Sequence, residues 1–253
     1  MKLLYLIIDL SALAVPLIFS FHPKINFYIS WTALSKAIGL IALLFLAFDS
    51  VFTACGIWSF NPQYITGIYI FNLPMEEVLF FICIPYSCLF TYYCLNKFYT
   101  FNWNLKAEDI FCVLFSTVLL LTGLIFWRKI YTSSTFISTA VLCLFLKFYR
   151  HIPWFGKAVS VYAILIFPFF LVNGVLTGTG LSEPVVRYNP AYILGIRIMT
   201  IPVEDFIYGF ELFLLNLSLY LRFNKQFLLG NSYNRSLSTE LDNINNNDKY
   251  KVE

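Results

Sequence analysis

The chain has 253 residues, of which 59% are hydrophobic, 20% aromatic and only 12% charged, with a formal net charge of +3. A soluble domain carries about a quarter charged residues, so this composition describes an integral membrane protein. The small charge, with no basic run interleaved with aromatics, offers no nucleic-acid surface.

Seven apolar segments are long enough to be read as spans, near residues 3–21, 34–54, 75–95, 109–127, 133–149, 157–176 and 203–222. The first, LLYLIIDLSALAVPLIFSF, follows Lys2 as a signal peptide would, but Asp9 interrupts it and no small-x-small cleavage site follows. It is read as a retained span. Residues 223–253 are rich in Asn and Ser and are expected to form a polar, disordered tail. Of the 17 basic residues, Lys2, Arg128, Lys129, Arg187 and Arg197 fall on the side of the N-terminus, and the others fall opposite. The positive-inside rule then puts the N-terminus outside and the C-terminus in the cytoplasm, with the cell (inner) membrane as the expected location.

Residues 61–81 read NPQYITGIYIFNLPMEEVLFF and residues 189–209 read NPAYILGIRIMTIPVEDFIYG. Asn61, Pro62, Tyr64, Gly67, Pro74 and Glu76 recur as Asn189, Pro190, Tyr192, Gly195, Pro202 and Glu204 at a constant spacing of 128 residues, and Glu77 recurs as Asp205. Upstream, DSVFTACGI (49–57) resembles NGVLTGTGL (173–181) at a spacing of 124. A three-span unit copied directly would come out inverted; the fourth span restores its direction. The fold expected is therefore an all-α membrane bundle of two parallel three-helix repeats, 1–96 and 133–222, joined by a linker with the fourth helix, 97–132. Both acid pairs then face the same side, and an axis along the membrane normal brings them together.

Pro74 and Pro202 suit a helix start, which puts Glu76, Glu77, Glu204 and Asp205 in first turns, where the helix dipole favours negative charge. Plain capping at a membrane surface is the bland explanation. The doubling of the acids in both copies argues against it, as do the apolar loops ITGIYIFNLP and ILGIRIMTIP, which are expected to pack inside the bundle or dip into the membrane. Asp49 and Glu211 add intramembrane acids, which are functional candidates by default. A carboxyl in an apolar pocket beside a second carboxyl holds its proton more tightly than one in water, and the two can serve as general acid and base. Tyr64, Tyr69 and Tyr192 are the aromatic residues best placed to face a cation.

No CxxC pair, HExxH or Gly-rich phosphate loop is present, so neither a zinc site nor a dinucleotide fold is encoded. The last span lacks the lysine a retinal protein needs. A proton-coupled transporter built on paired repeats stays open as an alternative to an enzyme.

LPMEE (73–77) and IPVED (201–205) resemble the PxE(E/D) signature of the lycopene cyclase domain family, and the flanking sequences follow the family pattern over about residues 1–222. The resemblance implies closure of β-ionone rings at the ends of lycopene, or cyclisation of another acyclic carotenoid end. It carries Pro74, Glu76, Glu77, Pro202, Glu204 and Asp205 over as the essential positions. In the expected chemistry a carboxyl protonates carbon 2, the double bond between carbons 5 and 6 attacks the cation at carbon 1, and a carboxylate removes the proton at carbon 6. Glu76 and Glu204, glutamate in both copies, are favoured as the acid/base pair, with Glu77 and Asp205 as tuning neighbours. The partners implied are the carotenoid, the bilayer and other enzymes of the same pathway. No cofactor is evident in the sequence; a non-redox need for reduced nicotinamide or flavin is left open.

Overall fold

The computed structural model describes residues 2–101 and 103–224. The expected tail therefore lies outside the described residues from 225 onward. Seven helices account for nearly all the regular structure: α1 (Leu4–Phe19), α2 (Trp31–Ala54), α3 (Met75–Phe98), α4 (Leu105–Ile125), α5 (Ile130–Leu144), α6 (Phe155–Leu176) and α7 (Val203–Phe223). Two are extended by short turns of other pitch, a 3-10 turn at Phe27–Ser30 before α2 and a π turn at Phe145–Tyr149 after α5. With these included, six helices among the described residues are long and apolar enough to cross a membrane. The exception is α1, whose 16 residues reach only about 24 Å at 1.5 Å per residue, short of a hydrocarbon core of about 30 Å.

Large apolar side chains that a soluble protein would bury stand exposed along the outer faces, Leu43 on α2, Leu114 and Val118 on α4 and Phe167 on α6 among them. A lipid solvent removes the penalty for that exposure. Inside, α1 packs on α3 and α5 on α7, one pair in each repeat. Between repeats the helices cross over: α2 packs on α7, and α6 on α3. The linking helix α4 lies on α5, and at one end of that contact Lys147 pairs with Glu108 at 2.5 Å, both nearly buried. Pro16 in α1 cannot donate to the carbonyl of Ala12. That carbonyl accepts instead from Ser87 Oγ on α3 at 2.9 Å, so the helix break becomes an interhelical bond.

The sequence repeat is visible as structure. Strands β1 (Trp58–Phe60) and β4 (Val186–Tyr188) pair antiparallel with Ser59 opposite Arg187, so each residue faces the equivalent of its mirror position. The bonds flanking the pair match too: Asn61 N–H donates to Val185 O and Asn189 N–H to Ile57 O, each at 2.8 Å. A pseudo-two-fold axis therefore runs between Ser59 and Arg187. The expected repeat boundary near 133 falls inside a helix, because α5 begins at Ile130.

Candidate active site

Each NP motif is a turn. Asn61 and Asn189 accept through Oδ1 from the N–H two residues on, at 3.1 and 3.0 Å, and their carbonyls accept from Tyr64 and Tyr192 N–H. Pro62 and Pro190 occupy the second turn position, where a fixed φ fits. Gly67 and Gly195 follow with φ of +87° and +84°, a left-handed conformation that a side chain would strain. The chain then makes a small hairpin, β2 (Tyr69–Ile70) with β3 (Leu73–Pro74), repeated as β5 (Arg197–Ile198) with β6 (Ile201–Pro202). The hairpin tips, Phe71 and Met199, are highly exposed; the apolar motif loops carry bare tips instead of packing wholly inside the bundle. Pro74 and Pro202 stand as N-caps, one residue before the first helical position.

That register explains why the acids are doubled. Successive helix residues point about 100° apart, so two adjacent carboxyls serve two different surroundings. Glu76 turns back to its own loop, where Oε1 accepts from Thr66 N–H at 2.6 Å. Glu204 Oε1 does the same with Leu194 N–H at 2.7 Å and also accepts from Thr132 Oγ1 at 2.5 Å. Both are fully buried. Their second oxygens have no hydrogen-bond partner among the described residues, and neither side chain lines the cavity below.

Glu77 and Asp205 point the other way, into a cavity of about 480 Å³ between the repeats, which Asp49 also lines. Tyr5 Oη donates to Glu77 Oε2 at 2.8 Å, and Tyr131 Oη, its counterpart in the second repeat, donates to Asp205 Oδ1 at 2.9 Å. Tyr188 Oη adds a bond to Asp205 Oδ2 at 2.9 Å, and Tyr208 Oη donates to Asp49 Oδ1 at 2.9 Å. Asp49 and Glu77 line the same cavity. Among the described residues no Lys or Arg forms an ion pair with any of these acids. Arg197 lies over the Tyr188 ring at 5.8 Å instead.

The walls are aromatic and apolar: Trp58, Phe60, Phe80, Phe81, Phe169 and Phe213 join the tyrosines. On α3 the lining runs from Glu77 to Thr91, about 21 Å along a helix axis. The acids cluster at one end of a long, apolar-lined channel. A cavity of this form suits an extended apolar molecule, and its carboxyls lie beside ring faces of the kind that stabilise a cation.

Several sequence expectations land elsewhere. Tyr64 and Tyr192 are held by backbone bonds to Tyr5 and Tyr131 and, like Tyr69, do not line the cavity. Glu211 lies outside it too, accepting from Ser138 and Thr139 on α5. Asp9, read only as an interruption of the first span, is fully buried one turn beyond Tyr5 with neither oxygen partnered among the described residues. Tyr5, Tyr131, Tyr188 and Tyr208 carry no mark in the motif pattern. A tyrosine at the matching position of the first and fifth spans was the available signal for the first two.

A long apolar channel with a carboxyl cluster at one end, built by two copies of one three-helix unit, marks a polytopic membrane protein with a buried acidic site. The family model described as lycopene cyclase matches residues 2–95 and 128–223, and the chain belongs to that family, whose enzymes cyclise carotenoids. The two matched segments are the two repeats, with α4 falling between them. Among curated proteins and among solved structures, nothing matches this chain.

Proposed function

We propose that the chain is a lycopene β-cyclase in which Glu77 and Asp205, with Asp49 beside them, carry out proton transfer, and Glu76 and Glu204 hold the motif loops. The observation that carries this reading is the placement of Glu77, Asp205 and Asp49 in the cavity wall while Glu76 and Glu204 bond to their own loops. The substrate end enters the channel with its terminal double bond among the carboxyls. A proton added at carbon 2 leaves a cation at carbon 1; carbon 6 bonds to carbon 1 and moves the charge to carbon 5; loss of the proton at carbon 6 restores the double bond between carbons 5 and 6. One proton enters and one leaves, so the reaction is an isomerisation. The aromatic walls exclude water, which would otherwise capture the cation. The N-terminal ends of α3 and α7 carry the acids, so an N-outside orientation in the cell membrane sets the chemistry near the outer face.

The test is the carotenoid profile of lycopene-accumulating bacteria expressing the wild type, Glu77→Gln or Glu76→Gln. The wild type should give β-carotene. Glu77→Gln should leave lycopene, with at least about a hundredfold loss of rate, as expected when a general acid or base is removed. Glu76→Gln should retain part of the activity, because an amide oxygen can still accept from Thr66 N–H. Full cyclisation by Glu77→Gln would refute the assignment, and unchanged lycopene with the wild type would refute the activity.

A further inference from the structure

The two repeats are alike in frame and unlike in chemistry at several matched positions, three of which bear on the acids. Asp49 corresponds to Asn173, Phe60 to Tyr188 and Phe80 to Tyr208; all six line the cavity. The second repeat surrounds its single carboxyl, Asp205, with two donating hydroxyls, those of Tyr131 and Tyr188. The first repeat gives Glu77 only one, from Tyr5, and brings a second carboxyl, Asp49, into the same cavity wall. Two facing carboxyls can hydrogen-bond only through a proton carried by one of them, because an ionised carboxylate has no donor. A carboxylate that receives two hydroxyl donors has its charge satisfied and both oxygens oriented. Tyr208 reaches from the second repeat to fix Asp49.

We infer that the site is polar: Asp49 and Glu77 together hold the proton delivered to carbon 2, Asp205 receives the proton from carbon 6, and Tyr208 positions Asp49. This rests on the cyclase reading above and divides its carboxyls into a donor side and an acceptor side. Proton balance also requires a return path, since each turnover leaves a proton on Asp205 and removes one from the donor pair. The Tyr131 and Tyr208 rings pack edge to face, centroids 5.9 Å apart, with hydroxyls bonded to Asp205 and Asp49 respectively.

The experiment uses the full chain in phosphatidylcholine vesicles loaded with lycopene in D2O, reading deuterium at carbon 2 and the ring isomers formed. The wild type should place one deuterium at carbon 2 of each β-ring. Asp49→Asn should lose label uptake at least about a hundredfold, leaving lycopene unlabelled. Asp205→Asn should still take up label at carbon 2, but return it as labelled lycopene or as rings with the double bond elsewhere. Tyr208→Phe, whose counterpart is already Phe80, should slow label uptake about tenfold with an unchanged ring pattern, which a merely structural change would not separate. Quenching of tryptophan fluorescence by lycopene reports that each variant is folded and binds. If Asp49→Asn misfolds, Tyr208→Phe still decides: undiminished uptake overturns the inference. So does an Asp49→Asn protein that labels as the wild type does, or an Asp205→Asn protein whose label uptake is blocked. A wild type that leaves lycopene untouched overturns the cyclase reading and this inference with it, whereas a fully active Asp49→Asn overturns this inference alone.

Discussion

The first repeat and the second share a skeleton down to individual bonds, yet their acids sit in different company. Glu76 and Glu204 anchor equivalent loops through equivalent backbone amides, and Tyr5 and Tyr131 cap equivalent carboxyls. The differences that bear on the acids lie at a few cavity positions. There the first repeat has an extra acid and two phenylalanines, and the second has an amide and two tyrosines. A reaction that must both give and take a proton needs a difference between its two sides. A duplicated frame supplies geometry on both sides, and a handful of substitutions then supplies the difference.

That comparison can be broken most directly at the carboxyls. Asp205→Asn and Glu77→Gln should each lower β-ring formation by about 10²- to 10⁴-fold, measured as initial rates in membranes of matched expression. Equal and small effects would mean that neither side carries chemistry. Tyr188→Phe, which copies Phe60 into the second repeat, removes one charge-assisted bond worth about 1.5–3 kcal/mol. It should slow β-ring formation roughly 10- to 100-fold, while the converse Phe60→Tyr leaves the rate within a few-fold. A reversed order in that pair would reverse the roles given to the two halves. Gly67→Ala and Gly195→Ala probe the frame and not the chemistry. Each should cost about 1–2 kcal/mol from its positive φ, read as similar losses of melting temperature in detergent; unequal losses would show that the frames differ as well. The smallest effect belongs to Ser87→Ala, which frees the Ala12 carbonyl beside Pro16. It should lower stability by about 0.5–1.5 kcal/mol with little change in rate.

Much of this was legible in the residues. Hydropathy marks the helices, a property of local composition, and the spacing of 128 marks the repeat and its four acids, because the same short motif is written twice. The side each acid faces was not legible. It depends on where the helix starts, and a shift of one residue turns a side chain by about 100°. With proline placed at the N-cap and not inside the first turn, the second acid of each pair, not the first, meets the cavity. The tyrosine partners escaped for a related reason. Tyr5 lies 72 residues from Glu77 and Tyr131 lies 74 from Asp205, and no local pattern links positions so far apart. Asp49 was flagged by its charge alone, while its contact with Tyr208 joins residues 159 apart. The motif hairpins were hidden because their turns carry Phe71 and Met199 at positive φ, where glycine or asparagine would have announced them.

The exchange of helices between repeats also sets an order of events during synthesis. α7, which packs on α2 and brings Tyr208 to Asp49, is made well after α3 is complete. At ordinary elongation rates the interval is on the order of ten seconds. For that time the nascent first half sits in the bilayer with Asp49 and Glu77 on a face that its partner helices have not yet covered. A ribosomal pause at α4 prolongs this open stage, and a mutation there can lower yield without touching any residue of the finished site.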